Sequence, residues 1–189
     1  MQTRLHAYGD PREALADFCA EFQLSGGVAD HAEQVSVEAM PPVYRNLLVH
    51  NEHMTEKLRG FWGRDIHLSV LRHREEGDVY QRHILLQLAA TGRVVEVGLA
   101  RIDLSYTSDA VREKIIERRT PLGDVLISAN VLRRIEPRWY FRFGGACPLL
   151  ADFRDPELSA AYGRLGTIFC DDAPAIELLE IVTDRGEKA

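Results

Sequence analysis

Cysteine is scarce in this chain. Cys19, Cys147 and Cys170 are an odd set without paired spacing, so free thiols in a reducing cytoplasm are the natural reading. No run of about 18 apolar residues occurs, so a membrane-spanning helix is not expected. The start, Met-Gln-Thr-Arg-Leu-His, has no apolar core behind a basic segment, and no signal peptide is expected either. Positive charge is in deficit. The 23 lysines and arginines stand against 29 acidic residues, a net charge of −6, which favours solubility and argues against a nucleic-acid partner. G-x-G-x-x-G, the P-loop, G-x-S-x-G and C-x-x-C are all missing, so dinucleotide, nucleotide, esterase and thiol-redox chemistry find no support. There is no internal repeat, low-complexity tract or linker.

The seven histidines do not make a metal site. His50 and His53 are three residues apart, whereas the zincin spacing places its histidines four apart on one helical face. The inverted motif is one residue longer. No third ligand is evident nearby, so no metal is expected and these histidines are read as solvated or helix-capping.

What is present suits one soluble domain, residues 1–189, with 46% hydrophobic and 28% charged residues and enough chain to bury a real core. Asp10 before Pro11 opens a helix, with Leu15, Phe18, Cys19 and Phe22 on its inner face and Gly26-Gly27 just past its end. Val43 to Leu58 reads as one helix or two short ones meeting near Met54, closed by Gly60 and Gly63. The period then changes. Ile66–Arg72, Val79–Leu88 and Val94–Leu104 read as three antiparallel strands joined by short turns, at 75–78 and at Thr91-Gly92-Arg93. Ser108 caps a helix running to Arg119, and Pro121-Leu122-Gly123 opens a short turn or helix. Val131–Phe143 reads as a strand that Pro137 bends or confines to an edge. Gly144–Glu157 is the least ordered segment by composition. Gly166–Cys170 and Ala175–Thr183 form a last hairpin, and the polar tail 185–189 is expected to fray. The sum is an α+β fold: an antiparallel sheet of about six strands with helices on one side.

One residue in this pattern is out of place. Alternation puts Arg82 on the strand face of Tyr80, Ile84, Leu86 and Leu88, which should look inward. A guanidinium does not shed its charge in a protein, and buried without a partner it costs several kcal/mol. Arg82 therefore needs an anion, either a carboxylate of the chain or a carboxylate of a ligand. The last strand offers Glu180 on one face and Glu177 on the other, and periodicity does not choose between them. A carboxyl in such apolar surroundings is a candidate for acid–base work. The bland alternative is a structural Arg82–Glu180 pair.

The order of short motifs resembles a known family. Asn51-Glu52-His53-Met54-Thr55, Tyr80-Gln81-Arg82-His83-Ile84-Leu85-Leu86, Thr120-Pro121-Leu122-Gly123, Tyr162-Gly163-Arg164 and Glu180 follow one another as in chorismate lyase (chorismate pyruvate-lyase) and its uncharacterised relatives. The resemblance covers Val43 to Val182. It implies a ligand cavity closed by two helical flaps. It implies an arginine for the ring carboxylate, Arg82, and backbone amides at Met54 and Leu122 lining the site. Glu180, with Glu177 as the weaker match, would hold the hydroxyl end of the product. Protonated in an apolar setting, Glu180 would donate toward the departing ether. The implied reaction releases pyruvate from chorismate, leaves 4-hydroxybenzoate or an isomer, and uses no cofactor. Chorismate has two carboxylates, so a second cation is expected. Arg101 is the candidate, against the plainer reading of a salt bridge to a protein acid. The chain is longer at its N-terminus than the core of that family, and 144–161 carries none of its motifs. Two other readings stay open. One is a same-fold enzyme acting on another carboxylated cyclic substrate. The other is a non-catalytic aromatic-acid-binding domain like the sensing domains of some bacterial regulators, against which the absence of an attached DNA-binding segment counts.

Overall fold

The chain is described from a computed structural model, for residues 4–24 and 27–186. The expectations for Gly26, for the extreme N-terminus and for the last three residues of the tail lie outside the described residues. In chain order the helices and strands are α1 (Arg4–Ala7), α2 (Pro11–Ala20), β1 (Ala32–Val35), α3 (Pro42–Leu48), α4 (Met54–Trp62), β2 (Ile66–Glu76), β3 (Val79–Leu88) and β4 (Val94–Asp103). There follow α5 (Asp109–Glu117), α6 (Leu122–Ser128), β5 (Arg133–Gly144), β6 (Ala160–Cys170) and β7 (Ala173–Val182).

The strands form one antiparallel sheet of seven, in the order β1-β5-β6-β7-β4-β3-β2. The strand beyond the expected six is β1, four residues in a polar stretch. Its ladder covers only Tyr140–Phe143 of β5. Pro137 lies beyond that ladder, at a bulge against β6. There β5 has no neighbour on its other side within the described residues, so the missing N–H leaves no ladder bond unmade. Strand β6 begins six residues earlier than Gly166, because pairing with β5 and β7 recruits Ala160, Ala161 and Gly163, residues of low strand propensity. Gly163 shows why one of them has no side chain: a Cβ there would stand 2.7 Å from the Glu180 carbonyl oxygen.

Local chemistry sets the helices. Asp10 caps α2 by accepting from the amides of Arg12 and Glu13, at 2.7 and 2.9 Å, with Pro11 at the first helical position. Ser108 caps α5. The region from Val43 to Leu58 resolves into two helices, and Gly63, at φ 64°, ends α4; Gly60 lies inside α4 rather than at its end.

Helices cover both faces of the sheet rather than one. Leu15, Phe18 and Cys19 of α2 share a core with Leu85, Val97, Leu99, Leu165, Leu179 and Ile181. Leu149, Leu150 and Phe153 complete that core from a short 3-10 helix, Pro148–Phe153. The segment that composition marks as least ordered is thus anchored by these buried residues and by Cys147. On the opposite face, α3 and α4 pack over Ile84, Leu86 and Val182, and α5 and α6 over Tyr80, Ala100, Ile102, Ile176 and Leu178. The candidate site lies between these two groups of helices.

Candidate functional site

The floor of the site follows from strand register. On the face covered by α3–α6, Arg82 of β3 stands opposite Ala100 of β4, Ile84 opposite Gly98, and Leu86 opposite Glu96. Gly98 is paired on its other side with Glu180 of β7, and Glu180 in turn with Arg164 of β6. Arg82 and Glu96 are therefore four residues apart along neighbouring strands, about 14 Å between Cα atoms, with the bare backbone of Gly98 between them. A Cβ at Gly98 would stand 2.9 Å from Ile84 Cδ1 and 3.1 Å from Glu96 Oε1.

A narrow cavity of about 60 Å³ rises from this floor. Its lining includes Arg82, Glu96, Gly98, Glu180, Met54 and Leu122, the mixture of apolar surface and a few polar groups typical of small-molecule sites. The two lining helices meet it with their N-termini. His53 and Pro121 occupy the N-cap positions of α4 and α6, and neither supplies a side-chain capping bond. The first amides of each helix have no intrahelical acceptor, so Met54 and Leu122 bring unsatisfied N–H groups and the positive ends of two helix dipoles to one cavity. The helices are tied together there. Arg59 of α4 donates to both carboxylate oxygens of Asp124 of α6, at 2.9 and 2.7 Å. Gly123 lies so close to His53 that an added Cβ would be 2.7 Å from the His53 Cβ. His53 is buried and not solvated. Burial and the charges of Arg133 and Arg164 push it down to about 4, so its neutral ring accepts a 2.7 Å hydrogen bond from Arg133 Nε.

Arg82 is 3% exposed, and its Nε and Nη1 have no hydrogen-bond partner among the described residues. Burial pushes its guanidinium down to about 10, against the attraction of Tyr80 and Glu96; it is still a cation at neutral pH. It makes no ion pair with Glu180. That carboxylate is engaged by Arg164, whose Nε donates to Glu180 Oε2 at 2.5 Å. Arg164, 1% exposed, also donates from Nη1 to the carbonyls of Leu48 and His50, at 3.2 and 2.8 Å, and from Nη2 to that of Glu52 at 3.4 Å. It thereby fastens β6 to the α3–α4 connection. The expectation of Glu180 as a lone carboxyl in apolar surroundings is corrected by this bond, because a guanidinium stands at hydrogen-bond distance from it. The group driven toward protonation is Glu96. It is 3% exposed, and its Oε2 has no partner among the described residues. Burial, and then the neighbouring Glu180 charge, raise it well above the ordinary glutamate range.

Arg101 does not reach this cavity. It points to the other face of the sheet, where it stands 3.3 Å from Glu21 Oε2 and 3.8 Å from Glu177 Oε2. Glu177 lies on that face too and accepts from the Leu5 amide at 3.3 Å. The reason is a bulge: Gln87 pairs with Val94 but Leu86 with Glu96, so Val95 is an extra residue. A ladder continued without it would pair Arg82 with Leu99 and turn Arg101 toward the Arg82 face; one extra residue flips every side chain. We expect Arg101→Ala to leave ligand affinity unchanged and to cost about 1–3 kcal/mol by stranding Glu177, as read by calorimetric binding and denaturant unfolding. Glu96 and Arg164 are the site residues that periodicity alone passes over. Arg164 lies within the Tyr162-Gly163-Arg164 motif, and the hairpin register, bulge included, is the signal for Glu96.

Known structures share this architecture. No family model matches the chain, and no curated protein does. Among solved structures it is similar to PhnF from Mycobacterium smegmatis, with a TM-score of 0.57 and 11% identity over 94% of this chain and 80% of that one. It is also similar to the gene product SA0254 from Staphylococcus aureus subsp. aureus N315, with a TM-score of 0.50 and 10% identity over 69% of this chain and 89% of that one. The fold is chorismate lyase-like. At these identities the likeness shows the fold and not the chemistry. No helix among the described residues is long and apolar enough to cross a membrane.

Gly98 gives this cavity its depth. Gly98→Ala is expected to weaken binding of a ring-shaped acid about tenfold, or roughly 1.4 kcal/mol. The fold should survive, because the atoms that a Cβ would meet are ends of the Ile84 and Glu96 side chains. Titration calorimetry with 4-hydroxybenzoate, beside a circular dichroism melt, measures both.

Proposed function

We propose that this cavity carries out a chorismate pyruvate-lyase-type reaction, releasing pyruvate from chorismate and leaving 4-hydroxybenzoate. The observation that carries the reading is Arg82, a buried guanidinium with two nitrogens unpartnered among the described residues, aimed into a cavity. Its planar fork suits a carboxylate in geometry as well as in charge. The ring carboxylate of the substrate pairs with Arg82, the ring lies over Gly98, and the oxygen-bearing end faces Glu96 and Glu180. The enolpyruvyl carboxylate, for which no second unpaired arginine is present among the lining residues, is served by the free amides at the starts of α4 and α6. In the reaction the bond from the ring to the ether oxygen breaks. The neighbouring carbinol carbon loses its hydrogen as a proton, the ring becomes aromatic, and the enolpyruvate takes up a proton to become pyruvate. The chain supplies one bound conformer and exclusion of water; the elimination is driven by the aromaticity it creates and uses no redox step.

A second reading is favoured by the same Arg82, because an unpartnered cation in a cavity serves binding as well as turnover. The same cavity then binds a small aromatic acid without converting it, as a sensing domain does. One experiment separates the two. Purified protein is mixed with chorismate, and pyruvate and the aromatic product are followed, with Arg82→Ala as control. Release by the wild type alone supports the lyase reading and identifies the hydroxybenzoate. Binding of 4-hydroxybenzoate without release supports the sensing reading, or a same-fold enzyme with another cyclic carboxylate as substrate.

A further inference from the structure

We propose that Glu96 is a further specificity-determining residue of this cavity, a donor to a hydroxyl at the end of the ligand remote from its carboxylate, beside the ion-paired Glu180 that the resemblance already places at that end. The proposal rests on the reading that a carboxylated ring occupies the cavity with its carboxylate on Arg82.

The two carboxyls differ because their partners differ. Both rise from the same sheet face, diagonal to one another across Gly98, since Glu96 pairs with Val182 and Gly98 with Glu180. Such diagonal neighbours are about 7–8 Å apart and within reach of long side chains. Glu180 has the Arg164 guanidinium on its Oε2, with acceptor capacity to spare on its other lone pairs. Glu96 has no cation at ion-pair distance among the described residues, and its Oε2 is buried without a partner. A second buried carboxylate beside Glu180 would face both desolvation and like-charge repulsion, and a proton removes both. Two carboxyls with environments this different form a donor–acceptor pair. A hydroxyl is the group that satisfies both members, accepting from Glu96 O–H while donating to Glu180. An aromatic amine offers donors to two sites of which one is itself a donor, and a bare ring C–H offers neither bond.

In the lyase step the same pair moves protons. The bond from the ring to the ether oxygen breaks with its electron pair on oxygen, and the Glu96 proton goes to that oxygen, giving enolpyruvate that tautomerises to pyruvate. The carbinol proton goes to the Glu180 carboxylate, and the electrons of that C–H bond complete the aromatic ring. Proton exchange with solvent between turnovers restores both groups.

The test compares binding of 4-hydroxybenzoate, 4-aminobenzoate and benzoate to the wild type, Glu96→Gln and Glu96→Leu by calorimetry, alongside pyruvate release from chorismate. The wild type should prefer the hydroxy acid by about tenfold or more over both others, the scale of one well-made hydrogen bond. Glu96→Leu should erase that preference. Glu96→Gln retains a donor and the shape, so it should retain the preference, and it should lose about 100-fold or more in pyruvate release because an amide has no proton to give. Discrimination without any pyruvate release by the wild type would uphold the paired reading of the hydroxyl and overturn only the lyase reaction. Equal binding of the three acids by the wild type, a preference undiminished in Glu96→Leu, or binding of none of them would overturn the proposal.

Discussion

Replacing Arg82 with methionine is expected to raise the melting temperature and to abolish ligand binding. Each buried polar group left without a partner costs about 1–3 kcal/mol, and two nitrogens of Arg82 are in that condition among the described residues. Methionine fills irregular apolar space, and its neighbours Ile84, Ala100 and Leu178 are apolar lining residues of the same cavity. The gain should be about 1–3 kcal/mol, a rise of a few degrees for a chain of this length. The same change removes the charged hydrogen bonds to the ligand carboxylate, worth about 1.5–3 kcal/mol each, so affinity for 4-hydroxybenzoate should fall about 100-fold or more. A calorimetric melt and a binding titration on one preparation read both numbers. A destabilisation of about 3 kcal/mol or more would mean that Arg82 holds a carboxylate of the protein, Glu96 being the one within its field, and the cavity would lose its anion site.

Much of this site is legible in the sequence, and the part that is not has a definite cause. Alternation along Val79–Leu88 places Arg82 inward, and that strand has those bounds in the structure. The caps at Asp10 and Ser108 are written in single residues. What periodicity cannot show is which face of one strand joins which face of the next. On β4 that depends on Val95, an apolar residue in an apolar run whose extra place in the ladder leaves no compositional mark. Reading through the bulge turns Arg101 inward and hides Glu96. Strand β1 is invisible for a different reason: four residues of Ala-Glu-Gln-Val acquire strand character from pairing with β5, not from their own propensity. Arg164 presents a third limit. Its neighbours Ala161, Gly163 and Gly166 weaken the strand pattern, so strand periodicity does not announce a buried arginine, and its carbonyl partners are more than a hundred residues away.

Arg164→Met should do the opposite of Arg82→Met. Both arginines are buried on the same sheet face, yet one is fully engaged and the other is not. Arg164 holds the Glu180 carboxylate and three carbonyls of the α3–α4 connection. Removing it leaves Glu180 as a charge without its cation next to a second carboxyl, and leaves Leu48, His50 and Glu52 with carbonyls to satisfy elsewhere. Breaking a buried pair by deleting one partner costs about 3–5 kcal/mol, and denaturant unfolding should show a loss of that size. The damage should also be local in a way that stability alone does not report. The connection from Val49 to His53 runs into the N-terminus of α4, so its release lets the Met54 amide drift from the cavity. Hydrogen exchange in α4 should quicken well beyond the change in α5, which has no bond to Arg164 among the described residues. Uniform loosening of both helices would mean that Arg164 stabilises the protein at large and does not hold the start of α4. The pair of substitutions thus measures one physical difference with two signs. A buried arginine that has its hydrogen bonds stabilises the fold, and one that lacks them weakens the fold and has its anion supplied by a ligand.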